Sequence, residues 1–236
     1  MLLPDEQINA MGVEAFDTIK EETAVAQDST VNRYVTCITE ALLQTFETQN
    51  QQWEVTVFES DDVNAFALPG GKVGVYTGLL DVTENQDQLA AVIAHEIAHV
   101  LSNHGNERVS QEFAVQSGLD LIQAITNVQT STGKTLMGLL GVGVQVGVLL
   151  PYSRIQESES DLLGLELMAR AGFQPQASIA LWQNMEQTHE EQPPEFLSTH
   201  PSHTTRMNDL NTAMPHALQL YQQAQAAGRK PQCHHL

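Results

Sequence analysis

The sequence predicts an α+β fold, mostly helical, with a small β-sheet flanking the helices of a single domain over residues 1–236. Three observations predict it. Apolar residues recur at helical spacing along most of the chain, strand-like alternation is confined to about 53–76, and no internal repeat or low-complexity linker divides the whole. With 236 residues, 42% of them hydrophobic, the chain can bury one substantial core.

Residues 5–26 and 29–49 are predicted helices, an N-terminal helical arm over 1–50. Ile8, Met11, Phe16 and Ile19, then Val31, Tyr34, Val35, Ile38, Leu42 and Phe46, fall at roughly helical intervals. In WEVTVFES, residues 53–60, Val55 and Val57 alternate with Thr56 as in a half-buried strand. A Pro-Gly-Gly turn then leads into a second strand, KVGVY at 72–76. Thr83 and Gln86 have the spacing of a capping box. The helix they would open carries Leu89, Val92, Ile93, Ile97, Val100 and Leu101, and Gly105 offers its stop. Ala90, Ala91, Ala94 and Ala98 on that helix would let another helix come close.

Residues 134–150 are apolar but contain four glycines and Gln145, short of the roughly 20 residues a membrane span needs. A buried helical segment is expected there, a membrane-touching one being the alternative. SRIQESESDLLGLELMARAG, residues 153–172, reads as a helix with Leu162, Leu163, Leu165, Leu167 and Met168 for the core and Gly172 as its end. Further helical stretches follow from Pro175 and from about Pro201 to Ala227.

Ten Lys and Arg against 29 Asp and Glu give a net charge of −19, which repels phosphate backbones and excludes nucleic acid as the expected partner. The opening residues lack the basic and apolar regions of an export signal, so an exported protein would have lost its signal before this sequence starts. Cys37 and Cys233 are the only cysteines. In an exported protein they could pair, tying the N-terminal helices to the C-terminal tail; in a reducing compartment both would stay thiols.

The chemistry concentrates in AVIAHEIAHVLSNHG, residues 91–105. On a helix, positions four apart share a face, so His95 and His99 can aim two imidazole nitrogens at one ion. Glu96 is rotated about 100° from His95, beside the metal without ligating it, where a general base for a catalytic water belongs. This is the HExxH pattern of zinc hydrolases. Catalytic zinc needs a third protein ligand. The metzincin spacing would place a glycine and a third histidine at positions that hold Ser102 and Gly105, which excludes that class. His104, five residues past His99, should sit off the metal face, at the surface or behind the ligands.

The remaining solution is a glutamate on a second helix, and QESESD supplies it. Glu157 and Asp161 are four apart and share a face. Glu157 can ligate while Asp161 accepts a hydrogen bond from the far nitrogen of a ligating histidine. Glu159 points elsewhere.

Together NAFALPGG with VYTGLL, HEIAHV followed by HG, SRIQESESD, and THPSHTTR resemble one family. It is the gluzincin metallopeptidases that include HtpX and the CAAX prenyl protease, with their soluble bacterial periplasmic relatives and the mitochondrial Oma-type proteases. The resemblance runs from about Asn64 to Arg206 and implies a zincin-like metallopeptidase domain, with 51–210 as catalytic core and 211–236 as C-terminal helix and tail. It implies one zinc ion per chain and endopeptidase action on polypeptides, in the soluble branch on unfolded or misassembled envelope proteins in the periplasm or another exported setting near membranes. His200, in the family's HP element, is expected either to donate to the oxyanion or to serve as a fourth ligand that masks zinc at rest. Arg206 is expected to orient that loop or bind a substrate carbonyl. Lys72, Val73, Gly74 and Val75 are expected to form an edge strand that holds an extended peptide, and residues 106–150 a plug or lid. The competing expectation is a chaperone-like binding module that keeps the fold and the metal but seldom cleaves.

Overall fold

A computed structural model describes residues 3–47, 52–111, 152–187, 195–200 and 204–234. In chain order the elements are α1 (Asp5–Glu22), α2 (Ser29–Leu43), β1 (Glu54–Phe58), β2 (Ala65–Leu68), β3 (Lys72–Tyr76), α3 (Thr77–Val82) and α4 (Gln86–Leu101). Residues 104–111 are again helical. Then follow α5 (Arg154–Ala171), α6 (Ala177–Gln187), α7 (Glu195–Thr199) and α8 (Thr204–Ala226). The expected apolar helix at 134–150 and most of the expected plug lie outside the described residues. Among the described residues, no helix is long and apolar enough to cross a membrane.

The sheet has three strands in the order β1-β3-β2, β1 parallel to β3 and β2 antiparallel to it. Gly70 and Gly71 make the β2–β3 turn at φ 83° and 74°, a region open to glycine at little steric cost. KVGVY is therefore the central strand and not an edge. Val73 and Val75 are fully buried, and the Lys72 ammonium pairs with Glu54 at 2.8 Å. Lys72, Val73, Gly74 and Val75 have a paired strand on each side, so a peptide cannot add to them. Strand β2 escaped the alternation pattern because all four of its residues are buried.

Helix α4 is central, with Leu89, Ala90, Ile93, Ala94, Ile97 and Ala98 fully buried. Its N-cap is Asn85, whose Oδ1 accepts from the Asp87 and Gln88 amides at 3.0 Å each; Thr83 instead ends α3, its hydroxyl donating to Leu79 O. Nor does Gly105 stop α4. The turn is made by Asn103 at φ 56°, and Gly105 lies within the next helical stretch. Helix α5 begins with a capping box between Ser153 and Gln156 and ends at Gly172 with φ 95°. It crosses α4 closely: a Cβ on Gly164 would stand 3.0 Å from His95 N and 3.1 Å from Ala94 C.

Helix α2 joins this core through Tyr34, Val35, Ile38 and Leu42. Helix α1 covers the other sheet face, where Ile8, Phe16 and Ile19 meet Phe58, Phe66, Leu68 and Tyr76. Cys37 and Cys233 form a disulfide joining α2 to the C-terminal tail. The tail is fixed further by Gln86, which donates to Pro231 O at 3.0 Å and accepts from Cys233 N at 2.8 Å. Because the bond closes a loop of 196 residues in sequence separation, reducing it is expected to lower stability by about 2–5 kcal/mol. Urea midpoints with and without reductant check this, and identical midpoints would show that the bond contributes nothing.

Candidate metal centre

His95 and His99 lie one turn apart on α4 with their Nε2 atoms 3.1 Å from each other. Glu157, in the first turn of α5, places Oε2 3.5 Å from His95 Nε2 and Oε1 3.5 Å from His99 Nε2. His200 follows α7, its amide bonded back to Phe196 O at 2.9 Å, and puts Nδ1 3.0 Å from Glu157 Oε1 and 3.3 Å from His95 Nε2. One ligand atom from each of these four buried residues lies within 4.8 Å of all the others. Three imidazoles and a carboxylate are a donor set that suits zinc. With Nδ1 of His95 against Asp161 and Nδ1 of His99 against His104, both rings turn Nε2 to one point beside the Glu157 carboxylate, where a cation would be held. The residues therefore fit the ion.

Glu96 is 2% exposed, with one oxygen, Oε1, 3.3 Å from His200 Nε2 and making no hydrogen bond. Burial pushes its carboxyl upward, while the charges of His200 and His95 and a backbone hydrogen bond from Ala67 act against the shift. Burial also opposes ionisation of Glu157, but the neighbouring His200 and His95 outweigh it and hold that carboxyl well below its ordinary range. His99 is driven well down by burial and then by the charges of His95 and His200. His95 goes the other way. Burial would lower it, yet hydrogen bonds and charge from Asp161 and Glu157 carry it to about 9.

Behind the ligands, Asp161 sits one turn past Glu157 with Oδ1 3.0 Å from His95 Nδ1. Arg206, from the start of α8 and 2% exposed, grips Asp161 through Nε at 2.5 Å and Nη2 at 2.6 Å. Its Nη1 lies 2.7 Å from Glu157 Oε2 and donates to His200 O at 3.3 Å. The guanidinium also lies over the Trp182 ring at 4.1 Å. Arg206 thus faces both the ligand cluster and the His200 backbone. His104 is 1% exposed, not a surface residue, and its Nδ1 is 3.0 Å from His99 Nδ1.

Sequence reasoning missed the aromatic lining. Tyr152 lies against the His99 ring at 4.0 Å between centroids, held by Arg108, whose cation sits 4.0 Å above the tyrosine ring and whose Nη2 donates to its hydroxyl at 3.2 Å. Phe196 stacks on His200 at 4.5 Å and Trp182 meets His95 edge-on at 6.4 Å. The Phe196–His200 spacing of four was a usable signal; Tyr152, next to Pro151 in a loop, offered none.

Residues 29–214 match the model of Peptidase family M48. Mitochondrial metalloendopeptidase OMA1 of Schizosaccharomyces pombe is 34% identical over 186 residues, covering 78% of this chain and 53% of the relative. The protein of the same name from Saccharomyces cerevisiae is 36% identical over 182 residues, covering 73% and 50%. Beta-barrel assembly-enhancing protease of Yersinia pestis is 28% identical over 221 residues, covering 89% and 45%. The chain spans about half the length of these curated relatives. With a family model covering most of its length, the chain belongs to Peptidase family M48.

Proposed function

We propose that this chain is a zinc-dependent endopeptidase that hydrolyses peptide bonds of unfolded or misassembled polypeptides. The observation that carries the reading is the convergence of His95, His99, Glu157 and His200 on one point, with Glu96 beside it and its Oε1 free of any hydrogen bond. His95, His99 and Glu157 would hold the metal. Zinc, when bound, supplies a Lewis acid that brings water's pKa toward neutrality and polarises the peptide carbonyl. Glu96 accepts the proton that the attacking water gives up and returns it to the leaving amine. Asp161 holds His95 by its Nδ1, and Arg206 holds Asp161, Glu157 and the His200 loop in one frame.

Strand β2 replaces β3 as the peptide-binding edge, because it is one of the two outer strands among the described residues and is the one whose backbone, at Ala67, reaches Glu96. An extended substrate paired there is held by its main chain, which suits varied sequences. His200 serves as a fourth ligand at rest, since its Nδ1 lies among the ligand atoms and not in the outer position of an oxyanion donor. Four protein ligands are the arrangement of a closed zinc site, which favours a second reading in which the resting protein is latent and binds chains without cutting them.

Similarity to a beta-barrel assembly-enhancing protease, together with a disulfide that needs an oxidising compartment, supports an exported, periplasmic setting and envelope proteins as substrates. The likeness to OMA1 proteins and to a beta-barrel assembly-enhancing protease supports an Oma-like place within the family. The test is metal content with casein cleavage. One zinc per chain is expected, with cleavage lost on chelation and restored by zinc. Protein without zinc would sink the site, while zinc without cleavage would favour latency. In that case His200→Ala should release activity, and its failure to do so would sink the endopeptidase reading.

A further inference from the structure

We propose that His104 is the positioning residue for His99: its Nδ1 accepts a hydrogen bond from His99 Nδ1–H, and its own Nε2–H donates to Glu159. The inference rests on the reading above that His99 ligates through Nε2. That nitrogen faces the cluster, 3.1 Å from His95 Nε2, so its lone pair belongs to the metal and the single proton of the neutral ring sits on Nδ1. His99 is 1% exposed, and a buried N–H needs an acceptor. His104 Nδ1 lies 3.0 Å away.

If His104 accepts at Nδ1, its proton must be on Nε2, which points at Glu159 Oε2 at 3.3 Å. Ser160 Oγ, from α5, the helix that also carries Glu157, lies 3.2 Å from the same His104 Nδ1, so its hydroxyl shares that one acceptor with the closer His99 Nδ1–H. The Glu159 side chain is 57% exposed, so this chain of groups ends in water.

A continuous helix would rotate position 104 about 140° away from His99. The left-handed turn at Asn103 folds the chain back and seats His104 against the last turn of α4, with ring centroids 5.0 Å apart. The two metal histidines are therefore held by unlike devices. His95 meets a buried carboxylate locked by Arg206, whereas His99 meets a neutral imidazole interposed before a solvent-facing carboxylate. The partner behind a ligating histidine fixes its tautomer and ring orientation, and losing it weakens metal affinity about 10–100-fold.

Zinc affinity is measured by competition with a chromophoric chelator on wild type, His104→Leu and His104→Gln. His104→Leu should bind zinc about 10–100-fold more weakly, and its cobalt-loaded absorption bands should shift. His104→Gln, which offers a carbonyl oxygen to His99 Nδ1–H, should recover most of the affinity. A folded His104→Leu with wild-type affinity overturns the proposal, as does a glutamine variant no better than leucine. Should the leucine variant not fold, long-range 1H–15N spectra of zinc-loaded wild type decide: a bare His104 Nδ1 and protonated Nε2 support it, the reverse overturns it. A wild type that binds no zinc overturns the site reading itself, an outcome distinct from tight binding that ignores position 104.

Discussion

Glu96→Gln is expected to keep its zinc and to hydrolyse casein about 10²–10⁴-fold more slowly than wild type. The side chain it replaces is 2% exposed in the interior next to His95, with an oxygen that no hydrogen bond satisfies. Glutamine has nearly the same shape and can still accept from the Ala67 backbone, so the helix and the ligand cluster are left intact. It cannot take a proton from water. The loss should therefore appear in kcat with zinc content unchanged. Full-speed cleavage by this variant would remove Glu96 as the base and require another proton acceptor.

Arg206→Met should destabilise the folded chain by about 3–5 kcal/mol, because removing one partner of a buried ion network leaves the others uncompensated. Asp161 and Glu157 have side chains 3% and 0% exposed, and Arg206 touches both. Methionine fills much of the space and still packs on Trp182, so the cost reports lost charge more than lost volume. The pH dependence gives a second readout. Burial opposes ionisation of Asp161, but Arg206, and then His95, hold its carboxyl below the ordinary value of 3.8. A depressed carboxyl contributes stability above its unfolded value and loses it as pH falls through the folded one. Metal-free Arg206→Met should thus show a shallower acid limb in urea melts. A midpoint equal to wild type at neutral pH would refute the assignment.

Much of the centre was legible because helical geometry is local. His95, Glu96 and His99 are fixed relative to one another by five residues of α4, and Glu157 and Asp161 by five residues of α5, so spacing alone implied a shared face. The capping box at Ser153 belongs to the same class of short-range signal, although placing a second one at Thr83 failed because Asn85 competes better for the first amides of α4. Register across the sheet was not legible. KVGVY reads alike as an edge or a centre, and what decides is pairing with β1, 18 residues earlier in the Glu54–Lys72 register. For His104 the sequence left two places open, the surface or behind the ligands, for a related reason: extending α4 past Leu101 rotates it away, and only the backbone turn at Asn103 seats it against His99. Tyr152 and Trp182 reach the histidines through tertiary packing that no periodicity encodes.

Gly164 meets α4 at the backbone of Ala94 and His95, on the very turn that carries a ligand. With no side chain at Gly164, α5 lies closer to that turn than any other residue there would allow. The turn of α4 that carries His95 is thus seated on α5 two turns past Glu157, so the crossing of the two helices brings the carboxylate and the histidine pair to one side. What gathers at that crossing is imidazole nitrogen with a single carboxylate, a donor set that suits zinc and not calcium, which takes oxygen ligands.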